Sequence, residues 1–181
     1  MGRPLSYAAA VASTTILFVA CTSSPARSGL AVTDVSGRMP ALSGRALEGG
    51  TVGAATYRGR PLVVNFWATW CGPCRREQPA LSAAHREAGA DGPIFIGVNF
   101  RDDLAAARAY LREFGVDYPS LADASGSLAY AFDVPYLPAT IFVDATGEMR
   151  YRAVGALDAR RLDELIDRVS SPAPSASPAG G

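Results

Sequence analysis

Leu62-Val63-Val64-Asn65-Phe66-Trp67-Ala68-Thr69-Trp70-Cys71-Gly72-Pro73-Cys74 is the stretch of this chain from which the fold is read. Residues 62–68 are an apolar run broken only by Asn65, the pattern of a strand buried on both faces. Behind the strand stand two cysteines two residues apart, and a helix is predicted over residues 73–88. A strand that delivers such a pair to the start of a helix is a device for exchanging electrons as dithiol and disulfide.

Helical spacing puts positions three apart on one side, about 5–6 Å between Cβ atoms, within reach of a disulfide. Pro73 is tolerated in the first turn, where its missing N–H had no partner, and Gly72 lets the backbone turn sharply into the helix. Free N–H groups and the positive end of the helix dipole then favour the thiolate of Cys71. Half of a zinc site, or a purely structural pair, is the competing interpretation. A closed zinc site needs four ligands, and beyond the pair the chain offers only Cys21 and His85. His85 lies three turns further along the same helix, about 16 Å away along its axis.

Outward from the motif, residues 41–51, broken by Gly44 and Gly49-Gly50, suit a short hairpin. Residues 93–100 form a second buried strand. A helix over 104–114 sets Leu104, Ala107, Leu111 and Phe114 on one face, and Asp102 and Asp103 suit its N-terminus. A short helical piece over 127–132 precedes strands at 140–143 and 149–154, joined by the turn-forming Asp144-Ala145-Thr146-Gly147. Asp158 starts a last helix with Leu162, Leu165, Ile166 and Val169 on its apolar face. This order predicts an α/β domain, a central mixed β-sheet with helices on both faces and an N-terminal β-hairpin extension.

With 181 residues, 49% of them hydrophobic, the chain holds about one domain. Its 17 cationic side chains are all Arg, balanced by 17 acids and scattered, which excludes the basic stripe of a nucleic-acid binder. Met1-Gly2-Arg3 followed by uncharged residues 5–20 has the form of an export signal. Leu17-Phe18-Val19-Ala20-Cys21 resembles the lipobox of bacterial lipoproteins, with Phe18 where Leu is usual. The expected organisation is a lipoprotein-type signal over residues 1–21 ending at a lipidated Cys21, which also disposes of the odd cysteine. An ordinary signal cut near Ala26 and an uncleaved anchor are the alternatives, and all three place the domain outside the cytoplasm. A flexible linker over 22–38, a folded domain over 39–169 and a disordered Ser/Pro/Ala/Gly tail over 170–181 complete it.

Val64-Asn65-Phe66-Trp67-Ala68-Thr69-Trp70-Cys71-Gly72-Pro73-Cys74-Arg75-Arg76-Glu77-Gln78-Pro79-Ala80-Leu81 resembles the active-site stretch of the TlpA/ResA-like, DsbE/CcmG-related thioredoxin family of extracytoplasmic thiol-disulfide oxidoreductases. Ile96-Gly97-Val98-Asn99-Phe100-Arg101-Asp102-Asp103 and Leu137-Pro138-Ala139-Thr140-Ile141-Phe142-Val143-Asp144 continue the likeness. It implies a thioredoxin-like fold in which Cys71 attacks a partner disulfide and Cys74 resolves the mixed disulfide. Pro138 aligns with the family's cis-proline, with Pro135 the competing candidate, and would leave the Leu137 backbone free to pair with an extended substrate segment. Trp70, Gly72 and Pro73 would border that segment.

Glu77 matches a glutamate of the reducing branch that would exchange protons with Cys74; the alternative is a solvated side chain in an early helical turn. Asn65 stands where cytoplasmic thioredoxins carry a buried Asp and cannot itself take a proton. Arg75 and Arg76 suit a solvated helix face, with a specificity patch the alternative, Trp67 suits either core or an aromatic wall with Trp70, and Pro79 predicts a kink.

The resemblance implies no cofactor. Its partners would be disulfide-containing exported proteins, apocytochrome c among them, and a membrane electron-donor thiol protein, with the membrane itself reached through the lipid anchor. A disulfide-forming oxidase or isomerase is the alternative function. A copper chaperone would want a wider cysteine spacing and a distal His, and a non-catalytic binding module would have no use for the cysteine pair.

Overall fold

The computed structural model of the protein describes residues 29–53 and 58–171. At its centre β4 (Leu62–Trp67) is buried at every position. It pairs in parallel with β5 (Ile94–Phe100) and antiparallel with β7 (Ala139–Val143). β6 (Ser120–Asp123) extends the sheet beyond β5, and β8 (Met149–Val154) followed by β1 (Ala31–Asp34) extends it beyond β7, giving the order β1-β8-β7-β4-β5-β6. The hairpin of β2 (Ser43–Arg45) and β3 (Thr51–Gly53) forms a separate two-stranded sheet. The turn between its strands is held by Leu47, whose N–H donates to Ser120 O at 2.8 Å and whose side chain is buried.

Alternation along β4 divides the core in two. Val63 and Trp67 face the helices α1 (Gly72–Ala88), α2 (Leu104–Glu113) and α4 (Ala159–Ser170), which contribute Leu81, Tyr110, Leu111, Leu162 and Leu165. Leu62, Val64 and Phe66 face the other way, onto Leu42 and onto Ala129 and Phe132 at α3 (Ser127–Ala131). The mixed sheet, the helices on both faces and the hairpin therefore stand as the sequence predicts. Among the described residues no helix is long and apolar enough to cross a membrane.

The linker expected over 22–38 is corrected in its second half. Residues 31–34 are strand β1, paired with β8 from Ala31↔Val154 to Asp34↔Tyr151, with Leu30 and Val32 packed on the core. The reason is backbone satisfaction: β8 would otherwise expose a row of unpaired N–H and C=O groups. Four residues are too few to carry a readable alternation, so the ordered domain starts ahead of residue 39. At the other end α4 runs to Ser170 and Ser171 N–H bonds Asp167 O, so order passes the expected boundary by two residues. The proposed signal, Cys21 and residues 172–181 lie outside the described residues.

β6 was not predicted, because Ser120-Leu121-Ala122-Asp123 is short and half polar; its edge position is set by pairing with β5. Gly155, at φ +107°, closes the end of β8 where a Cβ would collide with the backbone of Gly29 and Leu30. Its N–H donates to Pro138 O at 2.9 Å, tying the chain's entry, the end of β8 and the start of β7 together.

Candidate active site

β4 ends in a turn over residues 68–71, closed by Cys71 N–H donating to Ala68 O at 3.2 Å. Cys71 is then the N-cap of α1, in extended backbone geometry (φ −86°, ψ 99°), and its Sγ accepts the Cys74 N–H at 3.2 Å. A cysteine sulfur thus takes the capping role that Ser or Asp usually fills, at the positive end of a helix. Cys71 and Cys74 are joined as a disulfide with Cα atoms 5.3 Å apart. Cys71 is 5% exposed and Cys74 1%, so both are buried and Cys71 is the more accessible of the two.

The residues expected around the pair assemble there in part. The Leu137–Pro138 peptide bond is cis, with Pro138 buried and Leu137 half-buried at the head of β7. Pro138 leads into Ala139, which pairs with Phe66 of β4, so it sits at the same end of the sheet as Cys71. Trp70 is 61% exposed beside the pair, and Tyr136 and Pro135 are exposed on the opposite loop. Gly72 is exposed and Pro73 half-buried. Trp67, by contrast, is core: it stacks on Tyr110 with centroids 4.3 Å apart, and Tyr110 Oη donates to Cys74 O at 3.1 Å.

Glu77 is not a solvated helix residue. It is 2% exposed, one turn behind Cys74, with Oε1 accepting from Asn65 Nδ2 at 2.9 Å and Oε2 from Leu157 N–H at 3.0 Å. Burial drives its pKa up from 4.5 to about 7, only partly opposed by the Leu157 and Asn65 hydrogen bonds. Asn65 Nδ2 also donates to Thr140 Oγ1 at 3.1 Å, while Asn65 Oδ1 is buried with no partner among the described residues. The carboxyl is therefore a buried group with its pKa near neutrality, hydrogen-bonded to β4 and to the segment before α4.

Arg75 lies on the helix surface as expected, its side chain 40% exposed. Its guanidinium lies 5.5 Å from the Tyr110 ring and 5.0 Å from the Phe114 ring, and it hydrogen-bonds Glu113 of α2; Arg76 stays exposed. His85, weighed for zinc, packs edge-on to Phe95 and Tyr118 well along α1. Among the described residues no group of three or more His, Cys, Asp or Glu is placed to hold a metal.

Sequence reasoning missed Asp102. Asp103 alone caps α2, accepting from Ala106 N–H at 2.8 Å, while Asp102 turns back to the active-site turn. It accepts from Thr69 N–H at 2.6 Å, Thr69 Oγ1 at 2.7 Å, Asn99 Nδ2 at 2.9 Å and its neighbour's N–H at 3.0 Å. Burial works to raise its pKa, but these donors win and hold it below the usual carboxylate range. The signal was present as two consecutive acids where a helix needs only one cap.

A thioredoxin-like domain with a buried-carboxyl, Cys-x-x-Cys helix N-terminus is the class that fold and site define. The chain belongs to the Redoxin family, whose model matches residues 32–166. It is 39% identical over 109 residues to the thiol:disulfide interchange protein DsbE of Pseudomonas fluorescens biotype C, covering 60% of this chain and 59% of that protein. It is 26% identical over 113 residues to the thiol-disulfide oxidoreductase ResA of Geobacillus kaustophilus, covering 62% and 65%. Among solved structures it resembles a thiol:disulfide interchange protein of the thioredoxin family from Chlorobium tepidum, with TM-score 0.69 and 26% identity over 75% of this chain and 97% of that one. The matches to these two relatives span less than two thirds of either relative's length.

Proposed function

We propose that the protein is an extracytoplasmic thiol-disulfide oxidoreductase that reduces disulfides of partner proteins. The observation that carries this is the Cys71–Cys74 pair at the N-terminus of α1 with a buried carboxyl, Glu77, one turn behind it. In the dithiol form the Cys71 thiolate, stabilised by the Cys74 N–H and the helix dipole, attacks one sulfur of a partner disulfide. The other partner sulfur leaves as thiolate and takes a proton from solvent. Cys74 passes its proton to Glu77 and attacks Cys71 Sγ, which forms the Cys71–Cys74 disulfide and expels the second partner sulfur as a thiolate that takes a proton from solvent, while Glu77 returns its own to solvent. Two electrons have moved to the partner, and a dithiol donor must return them.

Leu137, beside the cis-proline, offers backbone for an extended partner segment, with Trp70, Gly72 and Pro73 on the facing rim. The likeness to DsbE and ResA favours partners in cytochrome c maturation, such as apocytochrome c, and a membrane thiol protein as donor. Tethering through a lipidated Cys21 rests on the N-terminal sequence alone.

The test pairs two variants. Cys71→Ser is expected to abolish reduction of insulin disulfides, and Cys74→Ala to accumulate a mixed disulfide between Cys71 and the natural partner, identified by mass spectrometry. Retained activity in the first variant, or no adduct from the second, refutes the two-step route. A wild-type protein found mostly as disulfide in cells assigns it to disulfide formation instead.

A further inference from the structure

Among the described residues, the turn that presents Cys71 has one side-chain anchor from outside the turn and its helix. In a four-residue turn closed from the first carbonyl to the fourth N–H, the second residue's N–H has no partner within the turn. Here that residue is Thr69, and both its N–H and its hydroxyl donate to the Asp102 carboxylate. Trp70, the third residue, is exposed and contributes no hydrogen bond among the described residues. Asp102 is fixed in turn by Asn99, which is buried on β5 in register with Trp67 of β4. The neighbouring Arg101 holds its strained backbone (φ 44°) by donating twice to Ser125 O.

The geometry points to Asp102 as a positioning residue for the attacking thiol: through Thr69 it fixes the turn that seats Cys71 Sγ on the Cys74 N–H. This rests on the assignment of Cys71 as the attacking thiol. The other charged groups nearby are Asp103, which caps α2, Arg75, held by Glu113, Glu77, which faces Asn65 and Leu157, and Arg76, whose guanidinium comes within 3.9 Å of a Cβ position at Gly72 and is unchanged in every variant below.

Position and charge act with opposite signs, and this makes the role testable. Losing a nearby negative charge eases formation of a thiolate, whereas losing the seat at the helix N-terminus hinders it. Alkylation of the reduced protein by iodoacetamide, followed from about pH 5 to 9 with peptide mass spectrometry, reads the Cys71 thiolate directly. Asp102→Ala is expected to raise the midpoint and cut the thiolate at pH 7 by up to about 16-fold, the span between a helix-seated thiol of pKa ~7 and a free one of ~8.5.

Thr69→Val, which keeps the N–H but loses the hydroxyl, is expected to shift the midpoint part of the way. Asp102→Asn, which keeps an acceptor for the Thr69 N–H but loses the charge, is expected to hold the midpoint at or below the wild-type value. Thr69→Val alone decides the matter if Asp102→Ala does not fold, as judged by far-UV circular dichroism. An unchanged or lowered midpoint in Asp102→Ala, or in Thr69→Val where that variant alone folds, overturns the proposal, as does Asp102→Asn behaving like Asp102→Ala. Wild-type protein alkylated first at Cys74 refutes instead the assignment of Cys71.

Discussion

Replacing Glu77 by Gln in the oxidised protein is expected to make it more stable at neutral and alkaline pH and to leave it nearly unchanged near pH 4.5. Folding raises the Glu77 pKa from 4.5 to about 7, chiefly through burial, so between those values the folded state holds a proton that the unfolded state has released. A pKa raised by folding contributes stability that is complete below the unfolded value and is lost as pH rises through the folded one. Over about 2.5 pH units, at about 1.36 kcal/mol each, the loss is about 3 kcal/mol. Because the side chain is 2% exposed, solvent screens little of this. Gln has the same shape but nothing to ionise. Its Oε1 can accept the Leu157 N–H, and its Nε2 can donate to an Asn65 amide turned to present the oxygen that now lacks a partner. The assay is urea unfolding at intervals from about pH 4.5 to 8.5 with the disulfide intact, so that no thiol titrates. A gap between variant and wild type that does not widen with pH refutes the argument that Glu77 is a buried carboxyl with a raised pKa.

Gly97→Ala is expected to destabilise by about 1–3 kcal/mol, because its Cβ would collide with Ser120 Oγ and come within 2.9 Å of Trp67 Nε1. Adding Ser120→Gly is expected to cost less than the sum of the two single changes, measured by thermal unfolding; strict additivity would refute the clash. Cys21→Ala is expected to move the protein from the membrane to the soluble fraction on cell fractionation. Unchanged membrane association would favour the uncleaved anchor.

The sequence carried the local half of this protein well. Buried strands at residues 62–68 and 93–100 and the cysteine pair at a helix start are legible because each is decided within about a dozen neighbours. The environment of Glu77 was not legible: a Glu in an early helical turn is ordinarily solvated, and its burial depends on Asn65 of β4 and on Leu157, 80 residues away. Asp102 was assigned to helix capping for the same reason, since its bond to Thr69 spans 33 residues. Arg75 was legible as surface but its partners were not, because the rings beside it, Tyr110 of α2 and Phe114 at the helix C-cap, come from another element. β1 escaped because an edge strand is specified by the vacancy beside β8 more than by its own four residues.

The place where β1 begins has a mechanical consequence. Ala31 stands in the row Ala31, Val154, Ala139, Phe66 that crosses the sheet just beneath the cysteines, and Gly29 is packed on Gly155 next to Pro138. The chain therefore enters the domain at its reactive pole. Were the protein anchored at Cys21, the seven residues between the anchor and Gly29 could reach less than about 30 Å, from a point beside the very groove a partner must enter. Such an anchor would turn the cysteines toward the bilayer and confine their search to a thin layer above it. A donor or acceptor embedded in the same membrane would then meet them at high local concentration, while a freely diffusing protein would first have to reach that layer.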